Sequence, residues 1–562
     1  MTKNSDSKWP ARGGSMTRRQ LLALGAATGA SMMYGGLPVM AQTARRGSPP
    51  AAPRGQVVVG LSQEATVFNP LLSSLEVDHG VWWNIFDPLW GVDAKGNWIP
   101  KLAAEIPSVE NGGLSEDGLG WKIKLRKDAV WHDGTPFTAE DVKFTLELIN
   151  RPGFNARTRQ GHDLVTDIQV TGTHELSWRM KAVYAPYLSQ LSSTFIVPKH
   201  LLGKAQDPNT APFNQKPVGT GPFMWGSRVP GDRIVLEANP KYFGDGPYIE
   251  RLVLKYIPDL NGLYTQFRTG QVDIVGIQGI LSNFYDEAKK LPGLVISVNS
   301  GSSIESITPN HGFPALADKA VRQALYGSIN KQAIIDLIYY GLPKATESFI
   351  PRESWAYEPA LPKQTYDLAK AGKVLDDAGW APGPDGVRQK NGVPLAFDLS
   401  TTSGNELRAQ TQQLLQQDWK KLGVAMKINN MPAAVMWGDF WFKSKFQSAL
   451  VSVNFMTGND PDASYRFSSK AIPVKGGSGS NVYQYENPEA DRLLEQGRVT
   501  MDRAARKEIY AQLQQVLHED LVILPLFQLA PIEGYKQGLV GYEHNVNVQS
   551  NCWNAGTWYW AV

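Results

Sequence analysis

Apolar and polar positions alternate with period two at Trp121-Lys122-Ile123-Lys124-Leu125, Arg233-Ile234-Val235-Leu236, Leu252-Val253-Leu254-Lys255-Tyr256 and Leu294-Val295-Ile296-Ser297-Val298. This is the pattern of strands with one face buried. Val57 to Leu61 is a continuous apolar run that predicts a buried strand, and Ile168-Gln169-Val170 predicts a short one. The polar stretch that follows the first strand, Ser62 to Gly80, is expected to be an irregular loop of the kind that builds sites.

Helices read between the strands. Thr138 is placed as an N-cap, with Glu140 and Asp141 in the first turn and Val142, Leu146 and Ile149 on one face. Asp318 precedes Val321, Ala324, Leu325 and Ile329; Asp367 precedes Leu368, Ala371, Val374, Leu375 and Ala378, closed by Gly379. Residues 405–422 and 503–518 are two further amphipathic segments. There is no internal repeat and no regular βαβ rhythm, so the fold class is α/β with mixed sheets. At 562 residues the chain has room for two to four folding units.

The first residues change the reading of charge. Lys3, Lys8, Arg12, Arg18 and Arg19 stand against Asp6 alone, and Gln20 to Ala44 carries no charge. A weakly hydrophobic run, Leu21 to Met33, leads to Pro38 and the small-residue site Val39-Met40-Ala41, the layout of a signal peptide cleaved after Ala41. Thr17-Arg18-Arg19-Gln20-Leu21-Leu22 resembles the twin-arginine export signal. Glycines at 25, 29, 35 and 36 with Pro38 argue against a stable membrane anchor, and no Cys near the site offers a lipid attachment. The formal charge is +3, from 56 Lys and Arg against 53 Asp and Glu. Removing residues 1–41, with five positive charges and one negative, leaves −1, so the basic surplus belongs to the signal and implies no nucleic acid. Cys552 is the only cysteine, which excludes an intramolecular disulfide and a cysteine-rich metal site.

Within the mature chain, WKIKLRKDAVWHDGTPFTAEDVKF at Trp121 to Phe144 closely resembles the family 5 solute-binding proteins of ABC importers, which bind dipeptides, oligopeptides, nickel and opines. Further agreements follow in order: Val218-Gly219-Thr220-Gly221-Pro222-Phe223, Asn239-Pro240-Lys241-Tyr242-Phe243, Gly270-Gln271-Val272-Asp273-Ile274, Val321-Arg322-Gln323-Ala324-Leu325, Tyr366-Asp367-Leu368-Ala369-Lys370, Asn459-Asp460-Pro461-Asp462 and Leu524-Pro525-Leu526-Phe527. The resemblance implies a two-lobed periplasmic binding protein fold with hinge strands, crossings near 308 and 527, and a ligand enclosed between the lobes. The expected organisation is a signal peptide at 1–41, a first-lobe core at 42–88, 210–307 and 528–562, an inserted subdomain at 89–209 and a second lobe at 308–527. The implied function is a periplasmic component that captures a small polar solute, such as a peptide, an opine or an oligosaccharide-like molecule. It would work as a monomer, delivering that solute to an inner-membrane ABC permease.

Catalytic constellations are absent: there is no G-x-S-x-G, H-E-x-x-H or P-loop. No cofactor is called for, although the export signal keeps a hydrolase or cofactor enzyme as the rival class, beside a ligand-presenting sensor on the same fold. The eight histidines form no i,i+4 pair, so no metal site is assigned; His79 and His311 keep a nickel or metal-chelate ligand as an alternative. Asp460-Pro461-Asp462 reads as a turn rather than as acid/base chemistry. Tryptophans 82, 83, 553, 558 and 560 fall where the family's first lobe faces the cleft, with core packing the default for most of them.

In the family's peptide binders a carboxylate three residues before the Asp-Pro pair holds the ligand's ammonium; here that position is Thr457. A hydroxyl cannot neutralise an ammonium, so a plain peptide in the usual pose needs Asp460, Glu64 or Glu305 as a substitute. The alternative is a ligand rich in hydroxyls or carrying its own carboxylate, with Asn310, Asn454, Thr457 and Asn554 as hydrogen-bonding groups. Glu64, Trp83, Asn310, Asn454, Phe455, Thr457 and Trp553 are the expected contacts.

Overall fold

In the computed structural model the helix Ala139–Asn150 begins after Thr138, whose N–H donates to the Asp141 carboxylate at 3.0 Å. Asp318, Asp367, Asn405 and Asp502 each accept a first-turn N–H at the start of helices Lys319–Gly327, Leu368–Asp377, Glu406–Lys421 and Arg503–Asp520. The structure describes residues 47–562 apart from 74, 433, 434, 457, 478, 549 and 562, and the side chains of 276–278 are also left aside. The expected signal peptide and Thr457 therefore lie outside the described residues.

Two mixed sheets organise the chain. The first orders its strands Leu294–Val298, Ile532–Lys536, Ile274–Ile280, Gln56–Leu61, Arg251–Tyr256, Arg233–Ala238 and Phe223–Val229. Gln56–Leu61 pairs in parallel with both neighbours, as befits its continuous apolar run, and Val57 and Val59 are fully buried. The second sheet runs Lys344–Ala345, Leu524–Gln528, Ile304–Pro309, Ser448–Val453, Ala396–Ser400 and Ala425–Ile428. Its inner strands are buried on both faces: Leu450 packs with Val321, Leu325 and Trp419 on one side, and Ala449 and Val451 with Phe455, Phe467 and Tyr483 on the other.

A three-stranded antiparallel sheet of Gly120–Lys124, Glu175–Met180 and Val165–Gly172 forms the subdomain, with Trp121 and Trp178 stacked at 5.7 Å in its core. Between the two large sheets the chain crosses twice, at 299–303 and 529–531. The crossings are bonded to each other, Gly301 N to Leu529 O at 2.8 Å and Leu529 N to Ser303 O at 3.0 Å. Thr308 and Phe527, where the crossings are expected, lie inside second-sheet strands, and the changeover falls a few residues closer to the first sheet.

Ser62 to Gly80 is not wholly irregular. Helix Glu76–Ile85 begins within it, because Val77, Val81 and Ile85 recur every four residues and bury one face. Among the described residues no helix is long and apolar enough to cross a membrane.

Candidate ligand-binding cleft

Between the subdomain and the second lobe lies a cavity of ≈ 960 Å³ walled by both. The segment 157–164 with Gln190 and Ser193 forms one side; Ser452 to Met456, Asp462 and Tyr465 belong to the other. A smaller void of ≈ 150 Å³ shares Arg157, Ser193, Asn454, Met456 and Gly458 with it and adds His79, Trp83 and Val546 to Val548.

The lobes touch directly beside the cavity. The Tyr184 hydroxyl, kept protonated by burial and by the carboxylate beside it, donates to Asp462 Oδ2 at 3.0 Å. Gln160 Nε2 donates to the same oxygen at 3.2 Å, Ser189 Oγ to Asn459 Oδ1 at 2.8 Å, and Ala185 N to the Arg498 carbonyl at 2.7 Å.

Of the expected contacts, Trp83 and Asn454 line the smaller void from opposite lobes. Trp83 stands on edge against Phe195 at 5.0 Å. Asn454 Oδ1 accepts from Met456 N at 3.0 Å, and its amide nitrogen has no partner among the described residues. Phe455 reaches the larger cavity's wall but is 2% exposed, stacked on Phe467 at 5.3 Å as core.

The remaining candidates are spent elsewhere. Asn310 donates to the carbonyls of Ser444 and Phe446 at 3.0 and 2.8 Å and accepts from Gly312 and Gln484, so its amide has nothing left to offer. Trp553 donates to the Glu543 carbonyl at 2.9 Å, and Asn554 bonds Gly541 and Trp558. Trp82 and Trp558 are core, and Trp560 bonds Gln56. The Asn-rich C-terminal loop is fastened to the first lobe, Asn545 to Val92 and Asn547 to Asp93.

Each carboxylate weighed as an ammonium partner already holds an arginine. Asp460 grips Arg506 through two bonds of 2.7 Å; burial opposes that charge, but the carboxylate outweighs it and holds the guanidinium more firmly protonated than usual. Glu305 pairs with Arg408 at 2.6 and 2.9 Å. Glu64 takes a 2.7 Å bond from Arg228, which lowers its pKa. Asp460 and Asp462 also build the turn expected of them, Asp460 Oδ1 accepting from Asp462 N and Asp462 Oδ1 from Ser464 N, both at 3.0 Å.

His311 sits away from the cleft, its Nε2 3.3 Å from the Val522 carbonyl and its ring against Tyr485. Among the described residues no three His, Cys, Asp or Glu side chains gather as metal ligands.

What the sequence reading passed over is Arg157. Its deeply enclosed guanidinium has its pKa lowered by burial to about 10, so it remains cationic at neutral pH. It donates to the Ser193 carbonyl. The only early signal is negative: no acid stands within four positions of it.

Two lobes on paired crossing strands, with a polar cavity between them, define a ligand-binding protein that encloses its solute. The chain belongs to the bacterial extracellular solute-binding proteins, family 5, whose middle-region model matches residues 97–473. It is 28% identical over 516 residues to the oligopeptide-binding protein AppA of Bacillus subtilis, covering 90% of this chain and 92% of that one. The structure of AppA with a nonapeptide superposes with a TM-score of 0.80 at 27% identity, over 92% of this chain and all of the other. NikZ of Campylobacter jejuni, solved with Ni(L-His), gives a TM-score of 0.79 at 26% identity over 90% of this chain and 99% of its own.

Proposed function

We propose that the protein is the substrate-binding component of an ABC importer, exported to the periplasm by the twin-arginine route. There it captures a small polar solute and presents it to an inner-membrane permease, acting as a monomer and catalysing no reaction. The observation that carries this reading is the ≈ 960 Å³ cavity walled by side chains of both lobes. Ligand contacts made by both walls exist only when the lobes meet, so binding shifts the population toward the closed form.

The relatives are named for peptides and nickel, and the cleft favours neither without change. The carboxylates considered as substitutes for an ammonium partner are all bonded to arginines. We therefore favour a solute that does not depend on an ammonium anchor.

The test uses the chain from Gln42, refolded to strip carried-over ligand. It is screened by thermal shift against peptides, opines, oligosaccharides and nickel chelates, with solution scattering on each hit. A ligand at 100 times its Kd adds ~2.7 kcal/mol of stability. The expected result is a stabilising ligand that also shrinks the radius of gyration. Stabilisation without compaction would remove lobe closure from the mechanism, and turnover of a peptide or glycoside would restore the enzyme reading.

A further inference from the structure

Of the cations that line the cleft without an ion pair among the described residues, Arg157, Arg159, Arg466 and Lys470, only Arg157 also borders the smaller void. Arg157 forms no ion pair with any described residue, and among those residues its side chain donates to a backbone carbonyl, the Ser193 oxygen. A guanidinium has five N–H donors, so most of this group's capacity is unused. Its side chain lines both the larger cavity and the smaller void. By contrast, the enclosed arginines of the second lobe spend their donors within it: Arg506 on Asp460, Arg408 on Glu305, and Arg322 on the carbonyls of Leu316, Ala317 and Asp520.

Beside it stands His79, which is 8% exposed and lines the same small void. Its Nε2 is sealed from solvent with no hydrogen-bond partner among the described residues. The helix Glu76–Ile85 places His79 one turn before Trp82 and Trp83. Trp82 is the common floor, its ring 4.6 Å from the His79 ring and 5.7 Å from the Arg157 guanidinium carbon. Across the void Asn454, from the second lobe, contributes an amide nitrogen that also lacks a partner among the described residues.

A half-buried cation with donors to spare and an amide N–H without a partner among the described residues, both lining ≈ 150 Å³, form a set of donors wanting an acceptor with negative charge. Resting on the reading of the cleft as the ligand site, we propose that this inner end is a carboxylate subsite. Arg157 is the ion-pair partner, Asn454 a hydrogen-bonding neighbour and His79 part of the wall beside them, so the solute is an organic acid. Two kinds of molecule carry that chemistry, a peptide bound by its C-terminus and an opine-type acid; neutral oligosaccharides do not. Because Arg157 and Asn454 come from different lobes, one carboxylate seated here ties the lobes together.

The experiment is titration calorimetry on the mature chain with four probes: tri-alanine, tri-alanine amide, agropinic acid and maltotriose. The expected result is binding of at least one of the two acids. If that acid is tri-alanine, amidation weakens it by on the order of 100-fold; agropinic acid alone would identify the opine-type source. In Arg157→Gln and Arg157→Lys, read beside their ligand-free melting curves to confirm folding, the acid's affinity falls most for Gln and partly recovers for Lys. His79→Phe, which keeps the ring's packing on Trp82, should cost a smaller part of the acid's affinity. Amide or maltotriose binding as tightly as the acids, or a folded Arg157→Gln with unchanged acid affinity, would overturn the subsite while leaving lobe-enclosed capture standing. Failure of all four probes would overturn the subsite, and the broader ligand screen would then decide the fate of the capture reading.

Discussion

The interior of the second lobe and the first lobe's side of the cleft are built on opposite principles. Behind the second lobe's wall, Asp460 and Arg506, Glu305 and Arg408, and Asn310 with its carbonyls satisfy one another within the lobe. On the first lobe's side Arg157 lines the void with bonding capacity to spare, and beside it the sealed Nε2 of His79 has no partner among the described residues. A wall whose polar groups are mutually satisfied holds its shape; a wall whose groups are not leaves them for something that arrives. Placement near the cavity is therefore a poorer guide to recognition than the balance of donors and acceptors.

The contrast breaks most violently at Asp460. Asp460→Ala strands a buried guanidinium and should cost about 3–5 kcal/mol in urea unfolding. A double replacement by apolar residues of similar volume should recover most of that loss, and a mild single variant would mean the pair is not the wall's anchor.

Acidification loads the other side. Burial and the nearby Arg157 charge lower the pKa of His79 and His162 to about 3, so both rings are neutral when folded, whereas an unfolded histidine titrates near ~6.5. Above neutrality the two states bind protons alike and stability is flat. As pH falls below ~6.5 only the unfolded chain takes up the proton, and stability drains away until the folded pKa is reached. Each ring should account for ~1–2 kcal/mol between pH 7 and pH 5. His162→Gln should flatten that slope by one ring's share; an unchanged slope would show that His162 already carries its proton.

Where the walls meet, Tyr184→Phe removes a single buried donor to Asp462. It should weaken closure by ~1 kcal/mol, visible as a larger radius of gyration in ligand-free scattering. No change would assign the lobes' contact to Ser189 and the Ala185 backbone. The smallest effect belongs to Glu64, whose partly exposed pair with Arg228 should contribute less than ~1 kcal/mol. Glu64→Gln should leave ligand affinity untouched, and a large affinity loss would bring Glu64 back to the site.

The elements were largely legible in the sequence because their signals are local. Thr138, Asp318 and Asp367 cap where expected, and Arg503–Asp520 spans the segment marked 503–518. The site was less so. Trp83 and Asn454 do meet at the void, whereas Glu64, Asn310 and Trp553 bond to groups that only the tertiary fold brings near. Residue type reveals what a side chain can bond; whether it is already bonded depends on partners such as Ser444, far along the chain from Asn310. Arg157 escaped for the converse reason: the lack of an acid nearby in the chain does not show that none arrives from elsewhere in the fold, and among the described residues none does.

One feature of the first sheet bears on how the protein comes to exist. Ile532–Lys536 lies between Ile274–Ile280 and Leu294–Val298, joining strands made long before it. Until translation reaches it, those two strands face an empty slot whose backbone N–H and C=O groups invite any passing strand. A chain halted after Gln528 would carry the whole second lobe and still lack the strand that joins the first, so such a fragment should aggregate rather than persist as a smaller binder. Quality control that waits for the finished polypeptide before moving it suits this topology.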